Sequence, residues 1–163
     1  MGQAASKFRR AFVVVNAKTQ DKYKSFMASH PDCKTLLFFH GSKNENFWSI
    51  LKNGLLLNPQ ASVTGHMLGR GIYAADKAVK SLNYTSLRGS YWSGGSSSIG
   101  YLAVFAFAIN PKSCYEVTTS SEIDTCYNMT WEKLQKVKPG ATHVFAHKGP
   151  YLRENELCVY RED

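Results

Sequence analysis

The chain has 163 residues, 44% of them hydrophobic and 20% charged. This length supports one well-packed core but is short for two, so we expect a single domain over residues 1–163. Twenty Lys and Arg against twelve Asp and Glu give a formal charge of +8. That charge indicates an anionic partner, such as nucleic acid, a phosphate-bearing cofactor or an acidic membrane face, or simply a basic soluble surface.

Cysteine spacing and hydropathy exclude several classes of protein. The four cysteines form no C-x-x-C pair, which argues against a structural zinc site and for reduced, buried thiols. No stretch approaches the roughly 18 apolar residues of a membrane-spanning helix, and residues 1–10 lack the apolar region of a secretory signal. We therefore expect an intracellular, soluble protein without a metal.

Residues 1–10 are predicted to form a flexible basic tail. Residues 1–6 fit the M-G-x-x-x-[ST] pattern for N-myristoylation at Gly2. Lys7, Arg9 and Arg10 would supply the electrostatic attraction that a single acyl chain needs for stable membrane binding. A membrane-associated form is therefore a hypothesis.

The first half of the chain alternates strand and helix patterns. Residues 11–15 form a β-rich apolar run, and Tyr23, Phe26 and Met27 then recur at helical spacing before Pro31. A second buried strand is predicted over residues 35–39, ending at the turn that starts with His40. Residues 44–53 predict a short helix with one apolar face.

The remaining elements predict an α+β domain built mainly on antiparallel sheet. Residues 55–71 and the Gly/Ser-rich residues 86–98 are expected to be loops, separated by a helix over residues 76–84. The most apolar run, residues 101–109, predicts a central strand buried on both faces. Later come predicted strands at residues 115–117, 143–146 and 156–160, and a helix near residues 130–136.

Three ordered motifs resemble the signatures of poly(ADP-ribose) polymerase catalytic domains. The first is His40-Gly41-Ser42-x₃-Asn46, followed by Ile50-Leu51-x-x-Gly54-Leu55. The second runs from Gly65 through Gly69-Arg70-Gly71-Ile72-Tyr73-Ala74-Ala75-Asp76 to Lys80-Ser81-x-Asn83-Tyr84. The third is Asn155-Glu156-Leu157-Cys158-Val159-Tyr160. Each motif alone is weak, but their joint order and spacing across most of the chain make chance agreement improbable.

The resemblance implies an ADP-ribosyltransferase fold with a split, mainly antiparallel sheet, NAD⁺ as substrate, and a His-Tyr-Glu triad. Catalytic roles fall on His40, Tyr73 and Glu156, and NAD⁺-binding roles on His40, Gly41, Ser42, Asn46, Gly71, Tyr73, Ser81 and Tyr84. Gly41 and Ser81 would hold the nicotinamide carboxamide, the two tyrosines would sandwich its ring, and His40 would bond ribose hydroxyls.

Glu156 would stabilise the positive charge that develops on the ribose as nicotinamide leaves, as in glycoside hydrolysis. Family members often place an arginine near the phosphates where this chain has Leu56, so the pyrophosphate would use another cation, such as Arg70 or Lys80. Ala74 also replaces the aromatic residue that usually follows the triad tyrosine.

Other interpretations of the same residues stay open at this point. His40 could be an ordinary histidine at a strand end, and the two tyrosines could be core aromatics. Glu154 has the same strand parity as Glu156, and the Asn-Glu-x-x-Val-Tyr register alone prefers Glu156.

The expected reaction is transfer of ADP-ribose from NAD⁺ to a macromolecular acceptor, with nicotinamide released and the anomeric centre inverted. The resemblance favours mono-ADP-ribosylation or short chains over long polymer, because the region between the apolar strand and Glu156 is short. A protein acceptor is expected, and a nucleic-acid acceptor would explain the charge. The rival hypotheses are a silent NAD⁺- or ADP-ribose-binding module and a basic nucleic-acid-binding domain.

Overall fold

The computed structural model describes residues 6–57, 67–87 and 97–162. In chain order its helices and strands are α1 (Ala17–Ser29), β1 (Lys34–Gly41), α2 (Phe47–Asn53), β2 (Ile72–Ala74), α3 (Ala78–Leu82), β3 (Leu102–Ile109), β4 (Cys114–Val117), α4 (Ser120–Cys126), α5 (Trp131–Val137), β5 (His143–Ala146) and β6 (Glu156–Val159). The predicted α+β class is confirmed.

The strands form two sheets, which confirms the predicted split core. Strands β1 and β3 pair antiparallel, and the second sheet has the order β2-β6-β5-β4, in which β4 and β5 are parallel and the other pairs antiparallel. An isolated antiparallel bridge between Phe39 and Ala75 joins β1 to the residue that follows β2. The two sheets therefore meet where β1 passes the end of β2.

Helix α1 confirms the helix that the apolar spacing predicts, and side-chain hydrogen bonds of Asn16 hold its first turn in place. The Asn16 side chain accepts a hydrogen bond from the backbone N–H of Thr19 at 3.3 Å, as N-caps do. Its amide nitrogen also donates to the carbonyls of Leu51 and Lys52, at 2.8 and 2.9 Å. This one side chain therefore links the start of α1 to the end of α2.

Three strand predictions are corrected. Strand β1 forms, but it continues through His40 to Gly41 instead of ending at a turn there, and it is not a buried strand, because it lies in a two-stranded sheet and leaves Leu37 exposed. Residues 11–15 are not a strand, and the side chains of Phe12 and Val13 are exposed. Their β propensity needs a neighbouring strand to become structure, and in the described part of the chain they have none. Strand β3 is formed as predicted but is not buried on both faces, because it lies in a two-stranded sheet and leaves Val104 exposed.

The helix predictions hold with shifted boundaries and one omission. Helix α3 begins at Ala78 rather than Asp76, and α5 agrees closely with the predicted segment. Helix α4 was not predicted, although it opens with a capping box in which Thr119 and Glu122 bond each other's backbone N–H groups. The apolar stripe of α4 is too short to stand out in the sequence.

Parts of the predicted loops and tail lie outside the described residues. In the two predicted loops, residues 58–66 and 88–96 lie outside the described residues. Residues 1–5, which form most of the predicted myristoylation pattern, also lie outside them. The described residues 55–57 and 67–71 contain no helix or strand, as expected. Leu87 and Ser97 form an isolated bridge, so the two ends of the Gly/Ser-rich loop lie side by side.

Two buried clusters flank β6 because alternate residues of a strand face opposite sides. Cys158 and Tyr160 pack into a cluster with Leu68 and Met129, whereas Leu157 packs with Phe38 and others on the opposite side. All four cysteines carry free thiols; three are buried as predicted, and Cys33 is only partly buried. Within the described ranges, none of the helices has the length and apolar character needed to cross a bilayer.

Candidate active site

His40 lies near the end of β1, at the junction of the two sheets. Its Nδ1 lies 2.8 Å from the carbonyl oxygen of Tyr73, and a carbonyl can only accept, so Nδ1 carries the proton. Burial lowers the pKa of the imidazole, against a smaller upward effect of this hydrogen bond. The ring is therefore neutral at physiological pH, and Nε2 is left as a hydrogen-bond acceptor.

Tyr73 lies in the middle of β2, and its hydroxyl is held by main chain. The hydroxyl donates to the Gly69 carbonyl at 2.7 Å and accepts from the backbone N–H of Leu68 at 2.9 Å. Burial raises the pKa of this phenol, and the charge of Glu156 adds to the rise. The hydroxyl is thus a fixed anchor, and the ring is the part of Tyr73 that can contact a ligand.

Glu156 opens β6 and is buried, with 6% of its surface exposed. Its Oε2 lies 3.1 Å from the Nζ of Lys80, whose side chain is also largely buried. Burial raises the pKa of the Glu156 carboxyl, and the Lys80 ammonium works in the opposite direction. A buried carboxylate of this kind requires its cation, because an unpaired charge there would be strongly unfavourable.

Tyr84 belongs to the same group of side chains, whereas Glu154 does not. Burial raises the pKa of the Tyr84 phenol, and the next contribution comes from the charge of Glu156. Glu154 precedes β6 and lies 4.0 Å from Lys148, a largely exposed side chain. Of the two glutamates with the same strand parity, Glu156 is therefore the one whose charge raises the pKa of both tyrosines.

Gly41 and Ser81 lie directly against each other beside His40. A Cβ atom added to Gly41 would lie 1.8 Å from the Ser81 carbonyl oxygen, so this position accepts no side chain. The Ser81 hydroxyl donates to the Phe39 carbonyl at 2.9 Å, which leaves its oxygen lone pairs to accept. Gly41 and the Ser81 hydroxyl therefore lie close together at the end of β1.

Gly41→Ala is expected to lower the free energy of unfolding by about 1–3 kcal/mol, because the methyl group must displace the Ser81 backbone. We also expect weaker binding of nicotinamide. Thermal unfolding and calorimetric titration with nicotinamide measure the two effects. Gly149→Ala is the control, since its nearest non-neighbour atom, the His147 carbonyl oxygen, is 3.9 Å away. Wild-type behaviour of Gly41→Ala in both assays would contradict the assignment.

The remaining predicted ligand residues occupy different surroundings. Asn46 donates to the Ser42 hydroxyl at 2.9 Å, so these two residues form one polar pair just beyond β1. Gly71 lies under β6: a Cβ there would be 2.4 Å from the Cys158 sulfur. Close packing against β6 therefore explains Gly71, and contact with a ligand is not needed to account for it.

The ion pair changes one sequence-based expectation. Lys80 is committed to Glu156, so it does not serve as a free phosphate ligand. Arg70 is exposed and stays the predicted cation for that role. Sequence reasoning missed the pairing of Lys80 with Glu156 because the two residues are far apart in the chain and no local spacing connects them.

Sequence comparisons identify the family of the chain. The profile of the poly(ADP-ribose) polymerase catalytic domain matches residues 3–93, which is more than half of the chain. Poly [ADP-ribose] polymerase 1 of Xenopus laevis is 47% identical over 64 residues, which cover 39% of this chain and 6% of that protein. Poly [ADP-ribose] polymerase 2 of Homo sapiens is 48% identical over 50 residues, covering 30% of this chain and 9% of that protein.

A viral relative matches over a longer span at lower identity. The putative poly [ADP-ribose] polymerase-like 100L of Invertebrate iridescent virus 6 is 25% identical over 163 residues, covering 99% of this chain and 83% of that protein. The matched segments make up 6% of the frog protein and 9% of the human protein, so this chain corresponds to a small part of each of them. Together with the profile match, the fold and the clustered motif residues, these similarities show that the chain belongs to the poly(ADP-ribose) polymerase catalytic domain family.

Proposed function

We propose that this protein is an NAD⁺-dependent ADP-ribosyltransferase with His40, Tyr73 and Glu156 as its catalytic residues. The observation that carries the proposal is the buried Glu156–Lys80 pair, which lies on the same face of the sheet as Tyr73. A buried carboxylate next to one face of a ring-binding site supplies the negative charge that ribose needs when its glycosidic bond breaks. Membership of the family supports the same reaction.

The residues present fit a nicotinamide group. A planar carboxamide approaches main-chain groups most closely where no Cβ is present, as at Gly41. Packing of Ser81 already requires glycine at this position, so the assignment of Gly41 to the carboxamide rests on the motif resemblance. The Ser81 hydroxyl oxygen faces the same strand and can accept a further hydrogen bond. We assign the rings of Tyr73 and Tyr84 to stacking on the nicotinamide, an interaction worth about 0.5–1.5 kcal/mol per aromatic pair beyond buried area.

His40 is assigned to a ribose hydroxyl. Because Nδ1 donates to the Tyr73 carbonyl, Nε2 is an acceptor and can take the hydrogen bond of a hydroxyl. Burial keeps the ring neutral by lowering its pKa, so this acceptor persists over the physiological pH range. The same hydrogen bond fixes the orientation of His40 relative to the Tyr73 ring.

The proposed reaction is a single nucleophilic substitution at C1′ of the ribose. The bond between C1′ of the ribose and the nicotinamide nitrogen breaks, and its electron pair leaves with nicotinamide. A nucleophilic atom of the acceptor forms the new bond to C1′ on the opposite face, which inverts the anomeric centre, and it loses its proton. Glu156 bonds the 2′-hydroxyl, stabilises the positive charge on the ribose and orients or deprotonates the acceptor.

The finer features of the reaction are part of the proposal. A macromolecular acceptor, most simply a protein, receives single ADP-ribose groups or short chains. The formal charge of +8 supports a nucleic-acid acceptor as the second candidate. Membrane association through Gly2 and an intracellular location stay predictions.

Incubation of the protein with NAD⁺ labelled in the adenosine part tests the proposal directly. Nicotinamide release shows that the glycosidic bond breaks, and label on protein or on nucleic acid identifies the acceptor class. We expect release of nicotinamide and label on protein. Binding of NAD⁺ without any release, with all candidate acceptors present, would establish the rival silent module instead.

A further inference from the structure

The side chain of Asn155 connects the loop before β6 to Asp76, two residues after β2. Its Oδ1 accepts a hydrogen bond from the backbone N–H of Lys148 at 2.8 Å, in the loop between β5 and β6. Its Nδ2 donates to Oδ2 of Asp76 at 2.8 Å. Both functional groups of one amide are thus used, at the residue that immediately precedes Glu156.

Asp76 places the other end of this contact at the junction of the sheets. It directly follows Ala75, which exchanges backbone hydrogen bonds of 2.8 and 2.9 Å with Phe39. Phe39 precedes His40, and β2, which contains Tyr73, ends immediately before Ala75. The Asn155–Asp76 hydrogen bond therefore connects the three strands that carry His40, Tyr73 and Glu156.

The Asp76 carboxyl depends strongly on this contact. Its Oδ1 is buried and has no hydrogen-bond partner among the described residues. Loss of the Asn155 donor would leave the second oxygen unpaired as well, and unpaired buried polar groups are unfavourable. The local structure would then rearrange at the point where β6 begins, and the Glu156 carboxylate would move with it.

We propose that Asn155 is a positioning residue, which holds the Glu156 carboxylate in place through Asp76 and the Lys148 backbone. The inference rests on the proposed function, because it concerns the geometry of that transfer. A displacement of about 1 Å in a reacting group can reduce the rate about 100-fold. A hydrogen bond one residue from the carboxylate is close enough to set its position on that scale.

Asn155→Asp is the informative single variant. Asp keeps the oxygen that accepts from Lys148, but it places a second carboxylate oxygen against Asp76 Oδ2, where the two negative charges repel. We expect kcat for nicotinamide release to fall about 10- to 100-fold. KM for NAD⁺ and the dissociation constant of nicotinamide should stay within about threefold of wild type, since the residues assigned to the ring are unchanged.

The double variant Asp76→Asn/Asn155→Asp reverses the pair and restores the bond. The amide introduced at position 76 donates to the carboxylate introduced at position 155, which still accepts from the Lys148 backbone. We expect kcat to return to within about threefold of wild type, a non-additive result that measures the coupling of the two positions. Asn53→Asp, an exposed site at the end of α2, introduces the same charge and should leave kcat unchanged.

Nuclear magnetic resonance of the ¹³C-labelled Glu156 carboxyl gives a readout that does not depend on activity. We expect its titration midpoint to shift in Asn155→Asp and to move back towards wild type in the double variant. Wild-type kcat and titration in folded Asn155→Asp, or a double variant no better than the single one, would overturn the proposal. An inactive wild type would refute the proposed transfer, while the Glu156 titration would still decide the positioning role.

Discussion

Glu156→Gln is expected to reduce the rate of nicotinamide release from NAD⁺ by about 100- to 10,000-fold. The amide has nearly the shape of the carboxylate but lacks its negative charge, so it cannot stabilise the positive charge on the ribose. The change also leaves the largely buried Lys80 ammonium without its counter-charge, so we expect the free energy of unfolding to fall by up to about 3–5 kcal/mol. Steady-state kinetics of nicotinamide release measure the effect, with thermal unfolding as the check on folding.

Glu154→Gln is the matched control for this experiment. It makes the same chemical change two residues earlier, at a side chain that faces Lys148 rather than Lys80. Glu154→Gln should retain wild-type kinetics, because an exposed pair of this kind contributes little. If Glu154→Gln were inactive and Glu156→Gln active, the catalytic carboxylate would have been assigned to the wrong residue.

Lys80→Met is expected to lower the same rate about 10-fold or more at neutral pH, and the loss should diminish as pH rises. Glu156 has to be ionised to act, burial already raises its pKa, and Lys80 is the group that opposes this rise. Without the ammonium, the pKa of Glu156 rises further and a smaller fraction of the carboxyl is ionised at a given pH. The acidic limb of the pH–rate profile should therefore move to higher pH.

Two further variants separate the charge of Lys80 from its size. Lys77→Met removes a cation from an exposed position on the same segment and should leave the pH–rate profile in place. Lys80→Arg keeps the positive charge, so its acidic limb should stay closer to that of wild type than the limb of Lys80→Met. A Lys80→Met profile that coincides with wild type would show that the ion pair does not set the ionisation of Glu156.

Local sequence patterns were sufficient to predict most of the individual helices and strands. Helix α1 follows from apolar spacing between Asn16 and Pro31, and β5 has the predicted bounds, because caps, proline and side-chain periodicity act within a few residues. The predictions failed where an element depends on distant neighbours. Residues 11–15 have strand-forming side chains but no partner among the described residues, and β3 is apolar although its sheet has two strands.

The sequence alone determined the fold class, the family and the identity of the candidate residues, because motif order and residue type are properties of the linear chain. Only the tertiary structure decided how those residues act on one another. It paired Lys80 with Glu156 rather than with a phosphate, fixed the proton of His40 on Nδ1, and connected Asn155 to Asp76. Charge pairing, protonation and hydrogen bonding depend on distances of a few ångströms, and folding sets those distances between segments that are remote in sequence.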